Sequence, residues 1–241
     1  TCWEKHFNNQ RDFIPYSREA GYTGIVMTSW STSGLYGFTW DVNYEVTDME
    51  QIRNTWPLSG FRILLASYAE ALRSTEPLDP HAFVVRYATE RFGVTKTEGE
   101  LLWEVLTIPS ELIVNGKPVT SPSIAALRET VEEAVKKMNS IKPASNSDEF
   151  EHFRLMLDIR LHYLRFREAE SRFNSTDFSI DDRKSVITEL EKLIQETKDL
   201  DRRFARLNRG FLHESEIEHQ NMIRNRKLIL LHRRLTGRRT P

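Results

Sequence analysis

Between residues 147 and 174 apolar side chains recur every three or four positions, with Phe150, Phe153, Leu157, Leu161 and Leu164 on one stripe and Leu155, Ile159 and Phe166 widening it. That period predicts a single long helix with a broad buried face. At ~1.5 Å per residue it would run roughly 40 Å, an ordinary length in a helical bundle. The same period predicts helices over about 181–209 and 213–236 with Gly210 between them, and another from Ser121 and Pro122 to about Ser140, stopped by Pro143. Their short connections predict antiparallel neighbours. Phe204, Leu207, Phe211 and Leu212 read either as the seam of this bundle or as an exposed partner surface.

Upstream the punctuation is sharper. In LDPHAFVVRYATERFG, Asp79 reads as an N-cap, Pro80 as the first helical residue and Gly93 as the stop. TEGE, from Thr97, reads as a capping box opening the next helix, and NGKP at 115–118 as a turn. Ser59 or Gly60 opens FRILLASYAEALRS, where Phe61, Leu64, Leu65, Tyr68, Ala69 and Leu72 predict one inward face. Residues 9–20 read as a helix that leads through Gly21 into GIVMTSW, a continuous apolar run suited to a strand covered on both faces. A helix, a strand, a long loop and a helix make one αβα unit.

Composition narrows the function. Of 241 residues, 39% are hydrophobic, enough for a sizeable core, while 34 basic and 35 acidic residues leave no global field for nucleic acid or an anionic membrane. The basic tail, with Arg224, Arg226, Lys227, Arg233, Arg234, Arg238 and Arg239, suits the C-terminal end of a helix dipole without any ligand. Cys2 is the only cysteine, which excludes an internal disulfide and a cysteine-based zinc site. No apolar run reaches bilayer length, and residues 1–20 lack the pattern of a signal peptide. The opening TCWEKHF carries no initiator methionine, and the expectation is a fragment of a longer protein. No phosphate-binding GxxxxGK[ST], strand-linked GxGxxG or serine nucleophile elbow is present, and nothing calls for a cofactor.

Chemistry concentrates in the loop after the expected strand. Trp30, Tyr36, Phe38, Trp40 and Tyr44 fall in a short Ser/Thr/Gly-rich segment past the strand's C-terminal end, where barrel enzymes build their sites. Rings beside hydroxyls suit a sugar, which stacks its C–H faces and hydrogen-bonds its hydroxyls. The same rings also suit a loop folded over its own apolar patch, with Trp30 capping the core. Asp41 and Glu45, in that loop, read as backbone-bonding side chains rather than as a catalytic pair.

GYTGIVMTSWSTSG, followed by WPLSGFRILLASYAEALRS, resembles the last barrel strand and last helix of family 20 glycoside hydrolases, the β-N-acetylhexosaminidases, in the branch with a helical C-terminal domain. The likeness covers roughly residues 10 to 75. It implies that Trp30 forms part of the wall around the terminal sugar, with Trp40 and Tyr36 as further substrate contacts, and that Arg62, Ala69 and Glu70 match the family's final helix. Many members follow their tryptophan with a glycine and a sugar-binding glutamate, where this chain has Ser31 and Thr32. The family's adjacent Asp-Glu pair occupies no strand end here. A whole barrel takes ~250 residues, so the resemblance implies that the catalytic pair lies outside this chain and that the chain alone is inert.

The fold expected is mainly α: residues 1–77 as the terminal βα unit of a TIM-type barrel, then 78–241 as an antiparallel helical bundle bracing it. The partners expected are a glycan containing N-acetylhexosamine and the remainder of the parent barrel, with no nucleic acid and no membrane. Two other readings stand beside this one. A non-catalytic helical module, binding a protein or padding its parent, accounts for residues 121–241 by packing alone. A di-iron bundle would draw on the E-x-x-H pairs Glu149/His152 and Glu216/His219, though acidic residues near helix starts are favoured without metal. His162 and His232, among Leu, Tyr and Arg, read as structural histidines.

Overall fold

The computed structural model describes residues 3–26, 61–109, 113–114, 117–118 and 123–237. Among these the protein is mainly α, with eight helices and one small hairpin: α1 Trp3–Glu19, α2 Phe61–Arg73, α3 Pro80–Phe92, α4 Lys96–Thr107, β1 Ile113–Val114, β2 Lys117–Pro118, α5 Ile124–Ser140, α6 Ser147–Phe173, α7 Ile180–Asn208 and α8 Glu214–Thr236. None of the described helices is long and apolar enough to cross a membrane. The chain forms two compact units, the first within Thr1–Ser29, Leu58–Ser110 and Thr130–Arg154, the second, among described residues, within Glu111–Glu129 and Leu155–Pro241. Helices α3 and α4 therefore share a unit with α1 and α2.

In the first unit, α1 starts at Trp3, six residues before the expected Asn9, because Trp3 and Phe7 begin its buried stripe. That stripe continues through Gln10, Ile14 and Ser17, alternating steps of four and three. Gln10 is satisfied there, its amide donating to the Leu64 carbonyl at 3.1 Å and its oxygen accepting from the Ser67 hydroxyl. Helix α2 buries Ile63, Leu64, Ser67 and Ala71, whereas Leu65 and Leu72, expected on the inward face, are exposed. Its apolar residues cover more than one face, so periodicity alone did not select the buried one.

Helix α3 is bounded by local chemistry. The Asp79 carboxylate accepts from the Ala82 N–H at 3.0 Å, Pro80 opens the helix, and Gly93 closes it at φ 66°. A Cβ on Gly93 would also lie 2.9 Å from that of Ala144, because the 144–145 turn docks its N–H groups on the Phe92 carbonyl. The capping box of α4 is Thr95 with Glu98, two residues before the expected Thr97. At Gly99, α4 comes so close to α3 that a Cβ would sit 3.0 Å from the Val85 carbonyl oxygen. The core of this unit is aromatic: Trp3, Phe7, Phe83, Phe92, Phe150 and Phe153 are buried, and Phe92 meets Phe150 and Phe153 edge-on at 5.2 and 6.1 Å.

The second unit has an aliphatic core. One cluster joins Phe166 and Ala169 of α6 to Leu190 and Leu193 early in α7 and to Leu228, Leu231 and Leu235 late in α8. Another joins Leu155 and Ile159 to Leu200, Phe204 and Leu207 late in α7 and to Ile217 early in α8. This pairing of early with late makes α7 antiparallel to both α6 and α8, as the short connections predict. Phe204, Leu207 and Leu212 belong to the seam, while Phe211 is exposed. Ser179 and Asp182 form the capping box of α7, and His213 caps α8. Of the expected turn NGKP, Lys117 and Pro118 form β2, paired antiparallel with β1, while Asn115 and Gly116 lie outside the described residues.

Candidate functional site

Two features of the first unit carry chemistry. The first is a groove of about 690 Å³ along α1, lined by Phe13, Ile14 and Tyr16, by Ile25 and Val26, and by Tyr68 of α2. The Tyr68 hydroxyl donates to the Ile25 carbonyl at 2.8 Å, which fixes the chain that leaves α1 against α2. Gly21, at φ 79°, makes the turn out of α1. The described part of the expected strand, Gly24–Val26, is neither helix nor strand, and Val26 is 86% exposed. A strand needs a partner ladder, and none is present there among the described residues.

The second feature is the Glu149 carboxylate, 9% exposed. It accepts from the Tyr87 hydroxyl at 2.6 Å and from Nε and Nη2 of Arg91 at 3.0 and 2.9 Å, with Nε of Arg62 at 3.3 Å. Burial, and then donation to this carboxylate, push the Tyr87 phenol far above its ordinary value. A carboxylate so fully engaged is an anchor rather than a free acid or base. It ties the starts of α2 and α6 to α3. Sequence reasoning missed this cluster because its donors lie 58 or more residues from Glu149, with no local pattern to mark them.

Of the residues carried by the family resemblance, Arg62 reaches Glu149 and Glu70 pairs with Arg86 of α3. Ala69 lines a cleft of about 510 Å³ with Glu70, Arg73, Phe83 and Arg86. Trp30, Tyr36 and Trp40 lie outside the described residues, as do Asp41 and Glu45.

Among the described residues no group of three or more His, Cys, Asp or Glu side chains is placed to hold a metal ion. Glu149 is committed to Tyr87 and Arg91, Glu216 accepts from Gln220 at 3.0 Å, and His219 is exposed, so the di-iron reading finds no ligand cluster there. His162 is a structural histidine, with its Nε2 3.0 Å from the Leu193 carbonyl. Burial holds its imidazole below the ordinary value, against the pull of that carbonyl. In the basic tail, Arg224 is buried, paired with Asp201 and stacked 5.1 Å over Phe204. Burial lowers its pKa and Asp201 opposes that shift. Arg238 and Arg239 lie outside the described residues.

No family model, curated protein or solved structure matches the chain.

Proposed function

We propose that this chain is the C-terminal part of an exo-acting β-N-acetylhexosaminidase of the family 20 type, removing terminal GlcNAc or GalNAc with retention of configuration. The observation that carries the reading is the stretch GYTGIVMTSWSTSG followed by WPLSGFRILLASYAEALRS. It is supported by the order of described elements around it: helix α1, a glycine turn, an apolar segment held by Tyr68, and helix α2. The chemistry needs two carboxyl groups, which the parent barrel supplies outside this chain. The glutamic acid protonates the leaving oxygen, and the aspartate orients the substrate's own acetamido group, whose oxygen attacks the anomeric carbon. Trp30 contributes a ring face to the sugar pocket, with Trp40 and Tyr36 beside it.

The test is hydrolysis of p-nitrophenyl N-acetyl-β-glucosaminide by the complete gene product and by this chain separately. The product should be active and the chain inert, and Trp30→Ala in the product should cut kcat/KM by ~10-fold or more, about 1.4 kcal/mol of transition-state binding. An inactive complete product refutes the reading. For residues 155–237 a second reading has its own support, because the leucine core of α6, α7 and α8 closes on itself and needs no substrate to explain it. That reading is a non-catalytic helical module.

A further inference from the structure

We propose that the outer face of α8 is the docking surface for an acidic amphipathic helix of a partner protein, an inference that stands whether or not the parent is a glycosidase. The helical period places Met222, Arg226, Ile229 and Arg233 one above another along α8, with Leu230 beside them. Met222 and Leu230 are 60% and 47% exposed. The neighbouring helices differ: α6 and α7 expose no large apolar side chain beyond Ile180 at the start of α7.

Charge decides what the face takes. From His219 to Thr236, α8 holds no Asp or Glu, in a chain whose 34 basic and 35 acidic residues nearly balance. Where the helix faces its own fold, its basic side chains have carboxylates: Arg224 has Asp201, Lys227 has Glu170 at 3.6 Å, and His232 has Glu191 at 3.6 Å. On the outer side Arg233 pairs with no carboxylate among the described residues, and the Arg234 guanidinium lies 5.0 Å over the ring of Phe173. The attraction of a helix C-terminus for cations accounts for Arg233 and Arg234, but not for Met222, Arg226 and Leu230 in earlier turns. Two copies of this face would set arginine against arginine, and its apolar stripe is too narrow to sink into a bilayer surface. A helix with leucines against Met222, Ile229 and Leu230 and glutamates toward Arg226 and Arg233 satisfies both halves of the pattern.

The experiment titrates the complete gene product into a fluorescein-labelled synthetic helix about three heptads long, with leucine at its core positions and glutamate beside them, and reads anisotropy. A matched peptide carries lysine in place of glutamate. The acidic helix should bind at least about tenfold more tightly than the basic one, and its binding should weaken as salt is raised. Arg233→Glu should weaken it by about tenfold, and Leu230→Ser by about threefold. Should Arg233→Glu fail to fold, Arg233→Gln takes its place, with a smaller loss in the same direction. Equal affinity for the two peptides, binding of neither, or binding that the variants leave unchanged would each overturn the proposal. So would a product dimerised through this face, or one that takes phosphatidylserine vesicles and not the acidic helix. Hydrolysis of the aryl glycoside on the same sample tests the glycosidase reading separately, and neither result of that assay bears on the docking face.

Discussion

The two compact units solve the problem of burial differently. In the first, rings fill the core: Phe92 lies edge-on to Phe150 and Phe153, Trp3 and Phe7 pack tilted beside them, and polar links such as Glu149 with Tyr87 and Arg91 sit at its margin. It still leaves Phe13, Tyr16, Val26 and Leu65 exposed. In the second, long antiparallel helices bury leucines, and their flanks carry arginine–carboxylate pairs such as Arg165 with Glu189 and Glu196 and Arg203 with Asp158. It too leaves large apolar side chains exposed, among them Ile180, Phe211, Met222 and Leu230. The difference between the units lies in what fills the core, rings in the first and leucines in the second.

Core truncation is the sharpest way to break that contrast. Phe92→Ala should cost about 4 kcal/mol and Leu193→Ala about 3 kcal/mol. If the units are separate cores, amide exchange should speed up mainly in α3 for the first and mainly in α7 for the second. Equal acceleration in both helices by either variant would mean a single cooperative core.

The buried ion pair of the second unit comes next. Asp201→Ala leaves Arg224 as an uncompensated buried cation and should cost about 3 kcal/mol in urea unfolding, whereas Arg224→Met should fall within about 1 kcal/mol of the parent. Nε and Nη1 of Arg224 have no protein partner, which already makes this arginine an expensive way to fill the seam. If Arg224→Met costs as much as Asp201→Ala, the pair carries stability that burial does not account for.

The smallest effect concerns pH. His162 is held below its ordinary value in the folded chain, so the unfolded chain binds the proton first as pH falls. Stability should therefore be full above about pH 6.5 and decline below it, by at most about 1.4 kcal/mol per pH unit from this group, until the folded imidazole also titrates. His162→Gln should flatten that slope in denaturation midpoints measured from pH 7 down to 5. An unchanged slope would assign it to other groups.

Helix ends governed by neighbouring residues were legible in the sequence. Asp79, Pro80 and Gly93 bound α3 as read, and α6, α7 and α8 end within a residue or two of their periodic patterns. Thr95-Lys-Thr97-Glu98-Gly99-Glu100 contains two overlapping capping boxes, and burial of Val94 goes with the earlier one. The buried side of α2 was not legible, since its apolar residues cover more than one face and give periodicity little to choose from. The Glu149 cluster was not legible either, because Arg62, Tyr87 and Arg91 are distant from Glu149 in sequence and an E-x-x-H pattern says nothing about a carboxylate's hydrogen-bond donors. The aromatic residues that suggested a sugar site, Trp30, Tyr36 and Trp40, lie outside the described residues.

The edge-on contact of Phe92 with Phe150 also bears on how the protein is made. Fifty-eight residues separate the two rings in sequence, so α3 leaves the ribosome well before its packing partner exists. At about 10 residues per second that delay is on the order of 6 s, far longer than an isolated helix takes to form and melt. During it, nascent α1 to α4 present a partly filled aromatic core, the interval in which a chaperone has most to cover. Along the α7–α8 hairpin the wait is shorter, beginning with Phe204 and Ile217 near the turn and ending with Leu190 and Leu228 farther along.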